Sequence, residues 1–326
     1  MYNTTMSLLD IKNYSMSFRC EGGIYKTLNN ISLSIQPKSM VALVGESGCG
    51  KSMTAMSILR LLPKNALIDS GEIIFDNKNI LDLKESEMRA IRGNKIALIP
   101  QDPMTSLNPL YTIGNQLLEV IEKNKSITKQ EAINKAVEVL DIVKIPKAKE
   151  KLNSYPHEFS GGMKQRAIIA MALAANAELI IADEPTTALD VTIQAQIMNI
   201  LNDIKENLDT SILLISHELN LVGQYSDEIN VMYSGRIVEK APSKLFFEKP
   251  LHPYSTALLN SLPANTPPNN RLKTIEGQPP NIQEQITGCR FNPRCERMID
   301  KICNVKSPSL KEVEPNHFVE CYLYQI

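Results

Sequence analysis

The sequence predicts an α/β domain built around a mainly parallel β-sheet. Four short apolar runs have the length and composition of strands buried in such a sheet. Stretches with helical periodicity lie between the runs, and strands that alternate with helices are typical of this fold class. The four runs cover residues 40–45, 95–100, 179–183 and 211–216.

Other parts of the chain predict further elements. Residues 8–18 and 31–44 are rich in strand-like sequence, with a polar, glycine-containing excursion between them. A helix is predicted over residues 51–62, ending before Pro63. Residues 112–175 are mostly helical in pattern, with apolar positions recurring on one face.

A change of composition near Glu248 predicts a domain boundary. Beyond it, prolines punctuate a polar stretch that leads into a cysteine-containing tail. We therefore expect one domain over residues 1–248, with a helical subdomain at roughly 102–175, and an extension over 249–326. The sequence contains no internal repeat.

Composition and charge exclude several kinds of protein. The net charge of −1 provides no overall field that would draw the chain to nucleic acid. The longest apolar stretch, residues 167–182, contains Asn176 and Glu178 and is too short and too polar to span a bilayer. The start of the chain lacks the basic and apolar regions of a secretory signal, so we expect the cysteines to be reduced thiols or metal ligands rather than disulfides.

A phosphate-binding loop is predicted immediately after the first apolar run. Its sequence, GESGCGKS, fits the pattern G-x-x-x-x-G-K-[ST], and a β-like run precedes it while a helix-like run follows. Backbone N–H groups of such a loop surround phosphate oxygens, the lysine reaches the terminal phosphates, and the serine hydroxyl ligates Mg²⁺. The alternative is a glycine-rich turn that matches by chance. The loop consists of Gly45, Glu46, Ser47, Gly48, Cys49, Gly50, Lys51 and Ser52.

A second anion-binding helix start is predicted at residues 159–166, FSGGMKQR. This stretch resembles the signature of ABC transporter ATPases, usually written LSGGQ, with Phe and Met at two positions. Ser160, Gly161 and Gly162, followed by Met163, can open a helix toward an anion. An ordinary helix cap is the alternative. Since the chain already has one phosphate loop, this helix start suits the nucleotide of another chain.

Three more stretches resemble the same family. Residues 179–186, LIIADEPT, are similar to an extended Walker B motif, with Asp183 at the carboxyl end of a strand and Glu184 as the candidate base that polarises water. Ala188, Leu189 and Asp190 resemble the D-loop. His217 resembles the switch histidine, which contacts the γ-phosphate.

The resemblance to ABC transporter ATPases implies a fold, a substrate and partners. Its motifs run in the family's order over residues 8–248. It implies a P-loop NTPase cassette with a RecA-like core, an antiparallel β subdomain and a helical signature subdomain. ATP would be hydrolysed between two facing cassettes, so a second ATPase subunit is expected, in a heterodimer.

Several individual roles also follow from the resemblance. Gln101 resembles the Q-loop, which couples the nucleotide to the membrane subunits. Mg²⁺ would be held through Ser52, Gln101 and Asp183. The family stacks adenine on an aromatic residue near the N-terminus, and we favour Phe18, with Tyr25 the alternative.

Three segments resemble one importer group in particular, which takes up oligopeptides, dipeptides or nickel. They are QDPMTSLNP at 101–109, LHPYSTALL at 251–259 and EGQPP at 276–280. Members that handle nickel often end soon after the HPY stretch, whereas this chain continues, which favours peptide import. The resemblance implies two transmembrane permease subunits, an extracytoplasmic substrate-binding protein and a peripheral position on the cytoplasmic face of the membrane.

The tail contains four of the six cysteines, Cys289, Cys295, Cys303 and Cys321. Four thiols suit tetrahedral zinc or an iron–sulfur cluster, although the spacing C-x5-C-x7-C-x17-C matches neither common zinc pairs nor a ferredoxin run. The tail resembles the extension of peptide-importer ATPases that carries a [4Fe-4S] cluster in some members, with Zn²⁺ the alternative. We expect this tail to lie far from the phosphate loop, and the remaining cysteines to have no role.

Two other function classes are less compatible with the sequence. Translation-type ABC proteins usually carry two cassettes per chain, and repair-type members carry long coiled coils or inserted zinc modules. The absence of a repeat and of sustained heptads speaks against both. Small-molecule kinases share the phosphate loop but have no use for the signature stretch.

Overall fold

The computed structural model describes residues 7–123, 127–187, 189–262, 274–284 and 286–325. Ala188, part of the D-loop prediction, lies outside these ranges. The chain divides into two compact units. The first contains residues 1–36, 40–81 and 216–326, and the second contains residues 37–39 and 82–215.

The strands include the four apolar runs predicted from the sequence, and others lie in the N-terminal and C-terminal parts of the chain. In chain order they are β1 (Leu9–Cys20), β2 (Gly23–Ile35), β3 (Met40–Val44), β4 (Ala66–Phe75), β5 (Lys78–Asn79), β6 (Ile96–Ile99), β7 (Leu179–Asp183), β8 (Ser211–Ser216), β9 (Glu228–Tyr233), β10 (Arg236–Pro242), β11 (Lys311–Glu314) and β12 (His317–Val319).

The α-helices fall mostly between the strands. They are α1 (Lys51–Ile58), α2 (Glu85–Ile91), α3 (Pro103–Ser106), α4 (Ile113–Glu122), α5 (Lys129–Ile142), α6 (Ala148–Lys151), α7 (Gly161–Ala174), α8 (Val191–Asn207), α9 (Leu219–Tyr225), α10 (Ser243–Glu248) and α11 (Pro253–Asn260). None of the helices in the described ranges combines the length and the apolar character needed to cross a membrane.

In the first unit, a small antiparallel sheet has the order β2-β1-β4-β5. β1 and β2 form a hairpin with a tight turn, in which Phe18 lies opposite Tyr25. The polar, glycine-containing excursion predicted between them is therefore the end of this hairpin. The glycines and polar residues of this stretch predict a loop, but most of them lie in β1 and β2.

The first unit also contains β3, which is buried along its whole length and pairs in parallel with β9. β10 continues this group antiparallel to β9, β12 pairs antiparallel with β10, and β11 pairs antiparallel with β12 at the edge. The pairing of β10 with β12 places the end of the cysteine-containing tail on the edge of this group. The carboxylate of Glu239, on β10, accepts from the N–H groups of Leu251 and His252 and from the His317 ring.

In the second unit, β6, β7 and β8 are parallel in the order β6-β7-β8. β7 and β8 are fully buried, as their continuous apolar sequences predict. Helices α4, α5 and α7 contact one another in the same unit. The predicted helical region is confirmed over these helices.

The helix predicted over residues 51–62 is shorter than expected. It ends at Ile58, and Arg60 adopts a left-handed conformation with φ of 50°. The N–H of Leu61 donates to the carbonyl of Met56 at 2.9 Å, which is the long bond of a Schellman motif. The helix therefore stops through its own C-terminal capping and not at Pro63.

Candidate nucleotide site

The phosphate loop joins β3 to α1 in the first unit. Gly45 has φ of 153°, and a Cβ there would come within 2.1 Å of the carbonyl oxygen of Met232, on β9. Gly50, the residue before α1, has φ of 112°, and a Cβ there would meet the Leu28 side chain at 2.7 Å. Both glycines are required by backbone conformation and by space. The loop therefore packs closely against its own unit and leads directly into a helix start, which is the kind of position that binds an anion.

Lys51 is the buried centre of this loop. Its ammonium group donates to the carbonyl oxygens of Gly45 at 2.8 Å and of Glu46 at 3.1 Å. Only 5% of the residue is exposed. Lys51 therefore helps to shape the loop and supplies a positive charge there, while Ser52 follows it in the first turn of α1.

The second residue of the loop, Glu46, is held by residues that follow α10. Its N–H donates to the Tyr254 hydroxyl at 2.9 Å. Its carboxylate accepts two hydrogen bonds from the Arg294 guanidinium, at 2.7 and 3.0 Å. The prediction that the tail lies far from the phosphate loop is therefore wrong. No pattern in the sequence predicts a contact between these residues, which are 248 positions apart.

The Walker B stretch lies at the carboxyl end of β7 in the second unit. Asp183 is the last residue of the strand and is buried. Glu184 follows with φ of 48°, a conformation that costs energy for a residue with a side chain. Its carboxylate accepts hydrogen bonds from Gln101 Nε2 at 2.7 Å and from Thr187 Oγ1 at 3.1 Å. Two residues predicted separately, Gln101 and Glu184, are thus in direct contact.

The signature stretch forms the start of α7. The Ser160 hydroxyl caps the helix by accepting from the N–H of Met163 at 3.3 Å. Gly161 and Gly162 make up the first turn, which confirms a helix start at this sequence. A Cβ at Gly162 would lie 2.7 Å from Ile193, in the first turn of α8. Gly162 therefore lets the two helix starts approach closely.

Asp190 caps the neighbouring helix start. Its carboxylate accepts from the N–H of Ile193 at 3.0 Å at the beginning of α8. Leu189 packs near Gly161, where an added Cβ would lie 3.6 Å from the leucine side chain. The described part of the D-loop and the signature turn are therefore neighbours in the second unit, a relationship that the sequence does not reveal.

Phe18, Tyr25 and His217 belong to the first unit. Phe18 and Tyr25 face each other across the hairpin and are both half-buried, so the fold does not favour one of them as the adenine-stacking residue. His217 is exposed directly after β8, and the N–H of Glu218 donates to the Ser216 hydroxyl at 2.9 Å.

The tail thiols lie in a segment with little regular structure. The N–H of Cys289 donates to the carbonyl of Cys303 at 2.7 Å. Burial raises the pKa of Cys289 to about 12 and that of Cys321 to about 11, and neighbouring tail thiols add to both shifts. In the described ranges, however, no group of three or more His, Cys, Asp or Glu side chains is arranged to hold a metal ion. The thiols are neighbours without forming a ready ligand set.

Comparison with known proteins agrees with this architecture. A family model described as ABC transporter matches residues 28–187, and a model described as oligopeptide/dipeptide transporter, C-terminal region, matches residues 238–303. The chain resembles solved cassettes, with TM-scores of 0.65. One is the dimeric structure of MJ0796, a bacterial ABC transporter cassette, at 27% identity, covering 72% of this chain and 98% of that one. Another is cbiO1 from Clostridium perfringens, at 25% identity, covering 74% and 91%.

Curated relatives match over almost the whole length. A probable peptide ABC transporter ATP-binding protein of Sinorhizobium fredii is 46% identical, over 97% of this chain and 94% of the relative. The oligopeptide transport ATP-binding protein OppD of Escherichia coli is 43% identical, over 97% and 93%. The dipeptide transport ATP-binding protein DppD of Lactococcus lactis is also 43% identical, over 97% and 90%. The chain therefore belongs to the oligopeptide/dipeptide family of ABC transporter ATP-binding proteins.

Proposed function

We propose that this chain binds and hydrolyses ATP to power the uptake of dipeptides or oligopeptides by an ABC importer. The observation that carries the catalytic part is the strained Glu184, held by Gln101 directly after the buried Asp183. The transported class rests on the similarity to peptide-transport ATP-binding proteins over 97% of the chain.

The residues of the phosphate loop would bind the phosphates. Lys51 supplies the charge for the terminal phosphates. The Ser52 hydroxyl, the Gln101 amide and the Asp183 carboxylate offer the oxygen ligands that Mg²⁺ prefers, and the ion would neutralise charge on the phosphates. The adenine would stack on Phe18, with Tyr25 as the alternative.

Glu184 would act as the base that polarises the attacking water. The bond from Gln101 positions one oxygen of its carboxylate and leaves the residue half-buried. Since Gln101 holds the carboxylate directly, movement of the segment that contains Gln101 would reposition the base. His217 would contact the γ-phosphate.

The signature turn would bind the nucleotide of a facing cassette. Ser160, Gly161, Gly162 and Met163 form the start of α7, and the N–H groups at the start of a helix suit an anion. Asp190 would support this turn from the adjacent helix start. A complete transporter would then contain a second, homologous ATPase subunit, two permease subunits and an extracytoplasmic binding protein.

The proposed complex places this chain at the cytoplasmic face of the membrane as a peripheral subunit. We also propose that residues 1–248 form the nucleotide-binding domain, with a helical subdomain at roughly 102–175, and that residues 249–326 form the extension typical of the importer group.

We further propose that Cys289, Cys295, Cys303 and Cys321 bind a structural [4Fe-4S] cluster, with Zn²⁺ as the alternative. The support is that burial raises the pKa of Cys289, Cys295 and Cys321, and that the charge of other tail thiols adds to each shift, which requires these thiols to lie near one another. Because they are not arranged as a ready metal site, the segment would rearrange on loading. Metal binding would stabilise the fold of this tail segment, which has few apolar residues.

Iron content tests this assignment. Protein purified without oxygen should be brown and contain about four irons per chain, the number that the cluster type requires. Changing Cys303 to Ser should remove the iron, whereas changing the exposed Cys20 to Ser should not. Stoichiometric zinc, or no metal in anaerobic protein, would rule out the cluster.

Uptake assays test the transported class. Cells in which this chain is replaced by its Glu184→Gln variant should lose uptake of a labelled tripeptide and retain uptake of nickel. The variant keeps the fold and the phosphate loop, so the assay isolates ATP hydrolysis. Loss of nickel uptake with normal peptide uptake would instead identify a nickel importer.

A further inference from the structure

The Arg294 side chain joins the cysteine-containing tail to the phosphate loop. It lies between Cys289 and Cys295 in sequence, yet its guanidinium makes two parallel hydrogen bonds, at 2.7 and 3.0 Å, to the carboxylate of Glu46. Only 5% of the Arg294 side chain is exposed. The Glu46 side chain is 25% exposed, so the pair is partly buried. Its two parallel hydrogen bonds make it stronger and better oriented than a surface pair with a single contact.

Each nitrogen of the guanidinium donates a hydrogen bond. Its Nε donates to the carbonyl of Glu276 at 2.9 Å, and Nη1 also donates to the Tyr233 hydroxyl at 3.3 Å. The guanidinium carbon lies 5.8 Å from the centre of the Tyr233 ring. Arg294 is therefore fixed by the tail and by the end of β9 before it reaches the loop.

An aromatic cluster packs beside the contact between Arg294 and Glu46. Tyr233, Tyr254 and Phe291 pack with ring centres 4.6 to 5.4 Å apart. The Tyr254 hydroxyl accepts the N–H of Glu46 at 2.9 Å. The backbone and the side chain of Glu46 are thus both held by residues from position 254 onward.

The charge of Glu46 matters because the loop is built to bind an anion. An unpaired carboxylate next to Gly45 would repel the phosphates of a nucleotide. Pairing with Arg294 neutralises that charge and turns the carboxylate toward the tail. The Glu46 carbonyl also accepts a hydrogen bond from Lys51 at 3.1 Å, so a shift of Glu46 would move the lysine that the phosphates need.

We propose that Arg294 is a positioning residue for the nucleotide site, which acts through Glu46 to keep the phosphate loop in its receptive conformation. The order of the tail then controls the affinity for ATP. This inference rests on the proposed function of the loop, and it assigns a regulatory input to that site. A tail that loses its order would release Arg294 and weaken ATP binding.

A double-mutant cycle on the full chain tests the inference. ATP affinity would be measured with Mg²⁺ for the wild type, Arg294→Met, Glu46→Gln and the double variant. Loss of this partly buried, charged hydrogen-bond pair should lower the affinity of Arg294→Met about tenfold, because Glu46 is left unpaired. In the Glu46→Gln background the same change should cost less than about twofold, because no charge remains to be neutralised.

Two further variants separate this role from general stabilisation. Arg297→Met, at an exposed position three residues along the same segment, should bind ATP like the wild type. Arg294→Lys, which keeps the charge without the fork, should fall between Met and wild type. An unchanged affinity in Arg294→Met, or an equal loss in both backgrounds, would overturn the proposal.

Hydrogen exchange of the wild-type chain gives a readout that needs no variant. Coupling between two sites is reciprocal, so ATP should slow amide exchange in residues 289–297. If a chain that binds ATP showed the same amide exchange in this segment with and without ATP, this inference would be overturned and the proposed function would stand. A wild-type chain that bound no ATP would contradict both.

Discussion

The side-chain amide of Gln101 donates a hydrogen bond of 2.7 Å to the carboxylate of Glu184, which has a left-handed backbone. Thr187 donates to the same carboxylate at 3.1 Å. Strained residues are found where surrounding contacts hold them in place, and they are common at functional sites. The pair connects the segment that follows β6 with the residue we propose as the base.

Changing Glu184 to Gln should abolish turnover and preserve ATP binding. Loss of a general base costs about 10²–10⁴ in rate, while the phosphate loop and Asp183 are untouched. The assembled variant should therefore retain ATP in a closed state. Glu178→Gln, which changes an exposed pair with Lys95, is the control and should turn over normally. Retained turnover in Glu184→Gln would remove this residue from the role of base.

Changing Lys51 to Ala should greatly weaken ATP binding and should also loosen the loop. The sequence predicts only the loss of charge, but the structure shows that the ammonium group bonds to two loop carbonyls. Equilibrium binding and thermal unfolding would be measured against the exposed control Lys64→Ala. A Lys51→Ala chain that bound ATP normally would contradict the assignment.

Changing Gly162 to Ala should destabilise the second unit, whereas Gly161→Ala should not. A Cβ at Gly162 would lie 2.7 Å from Ile193, but one at Gly161 would lie 3.6 Å from Leu189, an ordinary contact. Overpacking of this kind costs about 1–3 kcal/mol. Denaturant unfolding measures the difference in free energy. Equal stability of the two variants would show that α7 and α8 tolerate the added methyl group.

The sequence predicted local elements well because their patterns are local. The apolar run at β7, the phosphate loop and the cap at Ser160 each depend on a few adjacent residues. The contact between Gln101 and Glu184 could be expected only from the family resemblance, since the two are 83 positions apart.

The contacts that the sequence did not predict are all long-range. Nothing in the tail marks Arg294 as the partner of Glu46, because the pair depends on how the tail packs against β9. Similarly, the sequence around Glu239 predicts an ordinary strand glutamate, but Glu239 is fully buried and hydrogen-bonded to the buried His317. The sequence does not predict the early end of α1, because Arg60, a good helix former, adopts the left-handed conformation of the cap.

The buried His252 should make stability depend on pH. Burial lowers its pKa to about 4, below the unfolded value of 6.5. The folded state therefore binds fewer protons, so stability is retained above pH 6.5 and falls as the pH drops toward 4. The loss from this group between pH 7 and 5 should be about 2 kcal/mol.

A His252→Asn variant tests this origin. Asn can keep the cap that His252 Nδ1 provides by accepting from the N–H of Tyr254. Its unfolding free energy should fall less than that of the wild type between pH 7 and 5, whereas the exposed His157→Asn should follow the wild type. Parallel curves for all three proteins would assign the pH dependence to other groups.

The rate of ATP hydrolysis by the purified chain, alone and after assembly with its second cassette and permease subunits, tests the central claim most directly. The account predicts slow hydrolysis by the monomer, because the signature turn is proposed to serve the nucleotide of the facing cassette. The assembled complex should hydrolyse ATP rapidly, and the peptide-loaded binding protein should accelerate it. Full-speed hydrolysis by a stable monomer would contradict the account.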